Sequence, residues 1–215
     1  MECMNMYDAI IFDFDGTIID TEINLFNTLN KHIEQKNNEK ISLDEYKASI
    51  GSVSEALNDK ILNALGSKQA LEEMFEDHYE GTKSLPIKPV VKDLIEYGTQ
   101  NQKKMGIATS SYKAHIMPNV QRLELDKYVD VIKGREDVAF VKPNPELYIQ
   151  AAHDLKVEPE KCLAIEDTTN GAQAAIDAGM DVIVITHDIT EDLNFDSLNI
   201  LAKNIEAEEI INRYL

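Results

Sequence analysis

Short runs of apolar, mostly β-branched residues alternate with longer amphipathic stretches along most of the chain. The short runs predict buried strands at residues 10–12, 104–108, 128–132, 162–165 and 182–185. Apolar positions that recur every three or four residues predict helices at 90–97, 113–123, 145–155, 171–178 and 205–214. Such strand and helix repeats predict a parallel sheet covered on both faces, which binds ligands at the carboxyl ends of its strands.

The segment between the first strand and residue 86 interrupts this alternation. It predicts only helices, one that begins near Asp20 and others at 43–50, 53–65 and 69–83. We expect Asp20 or Thr21 to cap the first of these helices, with Glu22 in its first turn. The predicted domains are an α/β core of residues 1–19 and 87–215 and a helical cap of residues 20–86.

Composition and length limit the class of protein. The chain has 215 residues, 43% of them hydrophobic, which is enough to bury a sizeable core. It contains neither an apolar run of membrane-spanning length nor a basic and then apolar leader, so we expect a soluble, cytoplasmic protein without a membrane partner. Its two cysteines, Cys3 and Cys162, indicate neither a disulfide framework nor a zinc site.

The formal net charge of -18 argues against nucleic acid as a partner, because no basic footprint for a phosphate backbone is present. An acidic protein that handles an anionic substrate needs a local reversal of charge. A divalent cation and a few well-placed lysines would supply it.

Two carboxylates follow the first predicted strand. Asp13 and Asp15 are two positions apart, a spacing that puts both side chains on the same side of an extended chain, and Gly16 marks a tight turn before Thr17. Like charges this close need a cation, amide donors or a shared proton. The alternative is an acidic pair that caps a turn, and this motif alone does not separate the two.

A cluster of hydroxyl groups and a loop lysine are further candidates for binding a phosphoryl group. The hydroxyl cluster of Thr109, Ser110 and Ser111 ends a strand, where a hydroxyl and backbone amides can hold a phosphoryl oxygen, although Ser110 or Ser111 is also a candidate helix cap. Lys142 stands in a loop that Pro143 and Pro145 stiffen. Its compact positive charge suits a phosphoryl group or a carboxylate.

A second pair of carboxylates, Glu166 and Asp167, ends the predicted strand at 162–165. Oxygen ligands at a strand end suit Mg²⁺, and four carboxylates that face one another would repel strongly without a metal. The alternative is that Asp167 or Thr168 caps the next helix, a role that Thr168 can fill beside a metal site.

Taken in order, these four motifs resemble those of the haloacid-dehalogenase-like hydrolases, and the helical insert resembles the cap of the phosphatase and beta-phosphoglucomutase-like subgroup. The resemblance implies a three-layer, Rossmann-like parallel sheet with a small all-helical cap inserted after the first strand. It also implies a Mg²⁺-dependent phosphatase that hydrolyses a small-molecule phosphate monoester through an aspartyl-phosphate intermediate.

The resemblance also implies a role for each matching residue. Asp13 resembles the nucleophile, and Asp15 resembles the general acid and base, whose backbone carbonyl also contributes to the metal site. Lys142 and Thr109 would hold phosphoryl oxygens. The full implied set is catalytic Asp13, Asp15, Thr109 and Lys142, substrate-binding Gly16, Thr17, Gly51, Ser110 and Lys142, and metal-binding Asp13, Asp15, Glu166 and Asp167. Asp167 would be a direct ligand of the metal, and Glu166 either a second ligand or one that acts through a water molecule.

A phosphosugar mutase is the alternative within this family. Relatives that act on sugar phosphates often carry a basic residue after a cap-loop glycine, but no arginine follows Gly51 here, and Leu25 stands where relatives often have histidine. Lys47 or Lys60 would have to replace that base, although exposure to solvent is the simpler interpretation of each. We therefore favour a phosphatase, a monomer or weak dimer whose partner is a phosphorylated small metabolite.

Two other classes of protein share some of these features. A receiver-type phosphoacceptor domain carries its acceptor aspartate on a middle strand and lacks a large insert, whereas Asp13 follows the first strand here. A non-catalytic binding module is disfavoured by the intact Asp13, Asp15, Lys142 and Asp167.

Other polar and small residues receive structural interpretations. The histidines show no metal-ligand spacing, and we expect each on a helix surface or in a loop: His32, His78, His115, His153 and His187. Three glycines that follow apolar helical patterns are expected to end helices: Gly66, Gly98 and Gly179.

Overall fold

A parallel six-stranded sheet forms the centre of the protein. The computed structural model describes residues 6–47 and 55–215, with side chains of the helix that begins at Glu55 described from residue 59 onward. The strands lie in the order β3-β2-β1-β4-β5-β6. Their bounds are β1 Ala9–Phe12, β2 Lys104–Ala108, β3 Val131–Lys133, β4 Cys162–Glu166, β5 Asp181–Val184 and β6 Ala202–Lys203.

Helices separate consecutive strands except β5 and β6, and a further helix follows β6. Those between β1 and β2 are α1 Thr21–Gln35, α2 Leu43–Lys47, α3 Glu55–Leu65, α4 Lys68–Thr82 and α5 Pro89–Gln100. Those after β2 are α6 Lys113–Arg122, α7 Glu146–Leu155, α8 Thr169–Asp177 and α9 Ala207–Tyr214.

The side chains of β1 alternate between two apolar layers. Ile10 and Phe12 pack with side chains of α5, α6 and α9, whereas Ala9 and Ile11 pack with α7 and α8. All four residues are fully buried, because a central strand of a parallel sheet is covered on both faces. The predicted three-layer α/β sheet is therefore confirmed.

The helices α1 to α4 have an apolar cluster of their own. Leu29 and Ile33 of α1, Tyr46 of α2, Leu65 of α3 and Met74 of α4 form most of it. Ile189, from the loop after β5, joins the cluster. These helices lie within the insert predicted at 20–86, and the division of the chain into core and cap at those residues stays a prediction.

Some local expectations were wrong. Asp20 occupies the N-cap position before α1, but its side chain makes no capping hydrogen bond. Gly98 lies inside α5, where a Cβ atom would come within 2.7 Å of Met105 Sδ, so this glycine permits close helix–sheet packing. Gly66 and Gly179 do follow α3 and α8 with positive φ, as expected.

Two strand assignments also differ from expectation. Strand β3 begins at Val131 because residues Leu125–Lys127 form a 3-10 turn. Strand β6 has only two residues, Ala202 and Lys203, too few to carry a periodic pattern. Within the described residues, helices that combine the length and the apolarity needed to cross a bilayer are absent.

Replacing Phe12 by alanine tests the buried central strand. We expect Phe12→Ala to lower the free energy of unfolding by about 3–5 kcal/mol, because it removes a fully buried ring and leaves a cavity between β1 and the helices of one face. Urea denaturation followed by circular dichroism measures the change. Phe140→Ala is the matched control, since Phe140 is 67% exposed and its loss should cost less than about 1 kcal/mol. Equal costs for the two variants would contradict this packing.

Candidate active site

The carboxyl ends of neighbouring parallel strands bring the predicted motifs to one edge of the sheet. Strand β1 lies between β2 and β4, and Phe12 is in register with Ile107 on one side and Ile165 on the other. The Asp13 N–H continues the ladder by donating to the Ile165 carbonyl at 2.9 Å. Asp13 and Thr109, which directly follow β1 and β2, are therefore neighbours of Glu166, the last residue of β4.

Lys142 joins two buried carboxylates. Its Nζ lies 2.5 Å from Asp13 Oδ1 and 2.6 Å from Glu166 Oε1, and all three side chains are less than a tenth exposed. The ammonium also stands 4.9 Å from the centre of the Tyr148 ring. Although burial alone favours a neutral amine, the attraction of the two carboxylates raises the pKa of Lys142, so the lysine is charged.

Protein donors occupy both oxygens of Glu166. Tyr148 donates to Oε1 at 2.7 Å, and the N–H groups of Asp167 and Thr168 donate to Oε2 at 3.0 and 3.4 Å. Gly171 makes room for this carboxylate, because a Cβ atom there would come within 1.9 Å of Oε1. Glu166 is thus fixed in position within the site.

Three buried carboxylates converge. Asp13, Glu166 and Asp167 each offer one oxygen, and these oxygens lie within 4.8 Å of one another. Burial raises the pKa values of Asp13 and Asp167 well above their usual range; Glu166 raises both further, whereas Lys142 opposes the rise. One ammonium in contact with this group does not balance three negative charges, and an all-oxygen donor set with surplus negative charge fits Mg²⁺.

Two neutral groups hold Asp167. The Thr17 hydroxyl donates to Oδ1 at 3.1 Å, and His187 Nε2 lies 3.0 Å from Oδ2. Gly16 adopts the left-handed conformation with φ +85°, and a Cβ atom there would come 2.4 Å from Asp167 Oδ2. Lys88 supports the same turn by donating to the Gly16 carbonyl at 2.9 Å.

Hydroxyl groups hold the second aspartate of the first motif. Thr21 donates to Asp15 Oδ1 at 2.9 Å, Ser111 donates to Oδ2 at 2.6 Å, and Thr109 Oγ1 lies 3.5 Å from Oδ2. Ser110 and Ser111 do not cap α6, since Tyr112 occupies its N-cap position. Thr168, by contrast, does cap α8 by accepting from the Gly171 N–H, as expected.

A cavity of about 640 Å³ connects this group of residues with the helical insert. Its floor includes Asp13, Asp15 and Lys142. Side chains of α1 and α4, including Glu22, Leu25, Phe75, His78 and Tyr79, form part of its wall. A ligand bound at the carboxylates would therefore extend toward these helices.

Glu22 places a further carboxyl group on this wall. Tyr46 donates to Glu22 Oε2 at 3.0 Å. Burial raises the pKa of Glu22 to about 7, and the nearby Asp15 and Asp167 carboxylates add to the rise. The Glu22 carboxyl group is therefore protonated over much of the acidic range.

The structure brings together most of the residues singled out from the sequence. Asp13, Asp15, Thr109, Ser110 and Lys142 line the cavity. Gly16 and Thr17 lie against Asp167 at its base, together with Glu166. Gly51 lies outside the described residues, so its predicted role in substrate binding stays a prediction.

Sequence reasoning missed several residues of the site. His32 and His78 are buried within α1 and α4, so the expectation of a helix surface was wrong for these two. His187 lies in a loop, as expected, although its side chain is only 5% exposed. His115 and His153 are exposed. The sequence did carry a signal for the position of His187. This histidine follows β5, and β5 lies next to β4, the strand that precedes Asp167.

Tyr148 and Ser111 had weaker signals. Tyr148 occupies an apolar position of α7, which indicates burial but not the contact of its hydroxyl with Glu166. Ser111 belongs to the hydroxyl cluster, but only the fold shows that it donates to Asp15.

Comparisons with known proteins agree with this arrangement. The profile of the family described as haloacid dehalogenase-like hydrolase matches residues 10–185. A Bacillus subtilis protein named "Putative phosphatase YhcW" is 32% identical over 196 residues, 89% of each chain. The "Phosphorylated carbohydrates phosphatase" of Thermotoga maritima is 28% identical and covers 95% of this chain and 97% of its own.

A solved structure adds agreement in three dimensions. It is that of a Thermotoga maritima protein described as a "putative beta-phosphoglucomutase", with a TM-score of 0.76 and 29% identity. The match covers 95% of this chain and 97% of that one.

The pKa of Glu22 gives a testable pH dependence of stability. Because folding raises this pKa from 4.5 to about 7, the contribution of Glu22 to stability is fully present below pH 4.5 and is lost as the pH rises through 7. Glu22→Gln stays neutral. We expect its free energy of unfolding, relative to the unaltered protein, to rise by about 2 kcal/mol between pH 5 and pH 8.

Urea denaturation in the presence of a chelator measures this difference. The control is Glu72→Gln, a change at an exposed position of α4, whose effect should be the same at both pH values. A Glu22→Gln effect that does not change with pH would contradict the raised pKa.

Proposed function

The chain belongs to the haloacid dehalogenase-like hydrolase family, and from this premise we propose that it is a Mg²⁺-dependent phosphatase that hydrolyses a small-molecule phosphate monoester through an aspartyl-phosphate intermediate. One observation carries the proposal. A buried carboxylate, Asp13, ends the central strand with Lys142 on one oxygen, in the same cavity as a second, hydroxyl-bound aspartate, Asp15.

Asp13 acts as the nucleophile. Lys142 holds its Oδ1, while Oδ2 accepts no hydrogen bond from the described residues. An Asp13 oxygen attacks phosphorus, so an aspartyl O–P bond forms and the bond from phosphorus to the leaving oxygen breaks. Asp15, in its acid form, gives its proton to that oxygen, which leaves as an alcohol.

Asp15 then acts as the base. Its carboxylate takes a proton from a water molecule, whose oxygen bonds to phosphorus as the bond from Asp13 to phosphorus breaks. Inorganic phosphate leaves, and both aspartates return to their starting forms. Thr21 and Ser111 keep Asp15 in place through the cycle, while Thr109 and Lys142 bind phosphoryl oxygens.

The carboxylate group would hold the cation through Asp13, Asp167 and the backbone carbonyl of Asp15. When bound, Mg²⁺ would offset the negative charge of the phosphoryl oxygens and of the carboxylates. Both oxygens of Glu166 already accept hydrogen bonds from the protein, so we assign Glu166 an indirect role, in which it orients Lys142.

Charge on the cavity wall supports a phosphatase over a mutase, whose bisphosphate intermediate needs a second anion site. Among the described residues, Lys142 is the one lysine or arginine that lines the cavity, and residues 48–54 contain neither type. Lys47 is paired with Glu191 and Asp192, and Lys60 is paired with Glu45. We propose that the insert at 20–86 forms a cap that admits a leaving group without a second phosphate.

Replacing the nucleophile tests the proposed chemistry. Asp13→Asn should reduce kcat at least about 10³-fold, because the amide cannot form the phosphoryl ester, while the circular dichroism spectrum stays unchanged. Phosphate release from a monoester that the unaltered protein hydrolyses measures the loss. Asp126→Asn, at an exposed position away from the cavity, should leave kcat unchanged. An Asp13→Asn variant with full activity would exclude Asp13 as nucleophile.

A substrate panel tests the activity and its alternative. We expect phosphate release from hexose, pentose, nucleoside and short-acid monophosphates with Mg²⁺, and loss of that release with a chelator. The ranking of substrates would report what the insert selects. No release from any monoester, together with isomerisation of β-glucose 1-phosphate when a bisphosphate primer is added, would instead establish a mutase.

A further inference from the structure

The loop after β5 places a histidine against Asp167. His187 has a side chain only 5% exposed, and its Nε2 lies 3.0 Å from Asp167 Oδ2. His187 lies outside the four motifs and does not line the cavity. It therefore contacts Asp167 on the side away from the cavity.

Contacts of the other ring nitrogen show which atom carries the proton. The Ile189 N–H donates to His187 Nδ1 at 3.3 Å, so Nδ1 acts as acceptor and the neutral ring carries its hydrogen on Nε2. Asp20 Oδ1 is 3.6 Å from Nδ1, beyond hydrogen-bonding distance. Nε2 is thus the donor and Asp167 Oδ2 the acceptor.

The backbone of the loop fixes the direction of the ring. The His187 N–H donates to Thr190 Oγ1 at 3.1 Å, and its carbonyl accepts from the N–H groups of Thr190 and Glu191 at 2.9 and 2.8 Å. The ring is further confined by Gly16, where a Cβ atom would come 2.8 Å from Nε2. The glycine of the first motif therefore allows the histidine to reach Asp167.

Asp167 consequently receives one neutral donor on each oxygen, Thr17 on Oδ1 and His187 on Oδ2. Two such donors fix the plane of a carboxylate but leave its negative charge uncompensated, and each oxygen keeps a lone pair. Asp13 differs, since a charged lysine contacts it. Among the described residues, Asp167 forms no ion pair with a lysine or an arginine, so its carboxyl group is held in one orientation while its charge is left for a bound cation to balance.

We propose that His187 is a positioning residue that strengthens divalent-cation binding by holding Asp167 in the orientation of a metal ligand. This inference rests on the proposed function, in which Asp167 binds Mg²⁺. Donors behind metal-ligating side chains typically change metal affinity 10- to 100-fold.

Cation binding without substrate tests the inference. The EPR signal of free Mn²⁺, followed during titration of the chelator-treated protein, gives the dissociation constant of Mn²⁺. Displacement of the bound Mn²⁺ by Mg²⁺ then gives the dissociation constant of Mg²⁺. His187→Leu, which removes the donor, should weaken both about 10- to 100-fold. His187→Gln, whose amide can reach Asp167, should restore much of the affinity. His153→Leu, at a side chain 80% exposed, is the matched control and should change neither constant.

Turnover separates positioning from chemistry. At saturating Mg²⁺, kcat of His187→Leu should return to within a fewfold of the unaltered protein, while the Mg²⁺ concentration for half-maximal rate rises with the dissociation constant. If leucine prevents folding, His187→Asn, whose shorter amide does not reach Asp167, gives the same test.

Two negative results are distinguishable. Failure of the unaltered protein to bind either cation, or to hydrolyse any monoester with Mg²⁺, would overturn the proposed function itself. If the unaltered protein hydrolyses a monoester and binds the cations, but His187→Leu has the same cation dissociation constants as the unaltered protein, only the role of His187 would be overturned.

Discussion

The ammonium group of Lys142 between Asp13 and Glu166 is the contact on which the rest of the site depends. It joins the loop that contains Lys142 to the ends of two adjacent strands, β1 and β4, because the ammonium contacts both buried carboxylates. Loss of one partner of such a buried pair typically costs about 3–5 kcal/mol, because the other charge is left uncompensated. Tyr148 and Gly171 support this contact. Tyr148 donates a hydrogen bond to Glu166, and Gly171, which has no side chain, leaves room for the Glu166 carboxylate.

A site with this much negative charge is consistent with an acidic protein that handles an anion. The net charge of -18 would repel a phosphate ester at long range, whereas Lys142 and Lys88, the latter behind the first motif, supply local positive charge near the carboxylates. The proposed Mg²⁺ would add to it. Neutral donors hold the remaining carboxylates, Asp15 through hydroxyls and Asp167 through Thr17 and His187. The site thus combines fixed geometry with charge that a ligand can neutralise.

The helical insert and the sheet contribute different parts of one cavity. Strand ends supply the carboxylates, and the loop before α7 supplies Lys142. Together these groups suit a phosphoryl group. Helices α1 and α4 supply Glu22, Leu25, Phe75 and Tyr79, which would meet the part of the substrate that varies. Thr21 links the two, since it begins α1 and donates to Asp15.

The sequence by itself predicted the parallel sheet, the helical insert after the first strand and the candidate site residues Asp13, Asp15, Thr109, Lys142 and Asp167, because hydrophobic periodicity and short motifs are local properties of the chain. Only the tertiary structure decided which groups His187, Tyr148 and Ser111 contact. It also showed that, among the described residues, the Asp15 side chain lies outside the cluster of Asp13, Glu166 and Asp167. The physical reason is that these contacts join positions far apart in the chain, and their geometry depends on the register of neighbouring strands and on which donor reaches each oxygen.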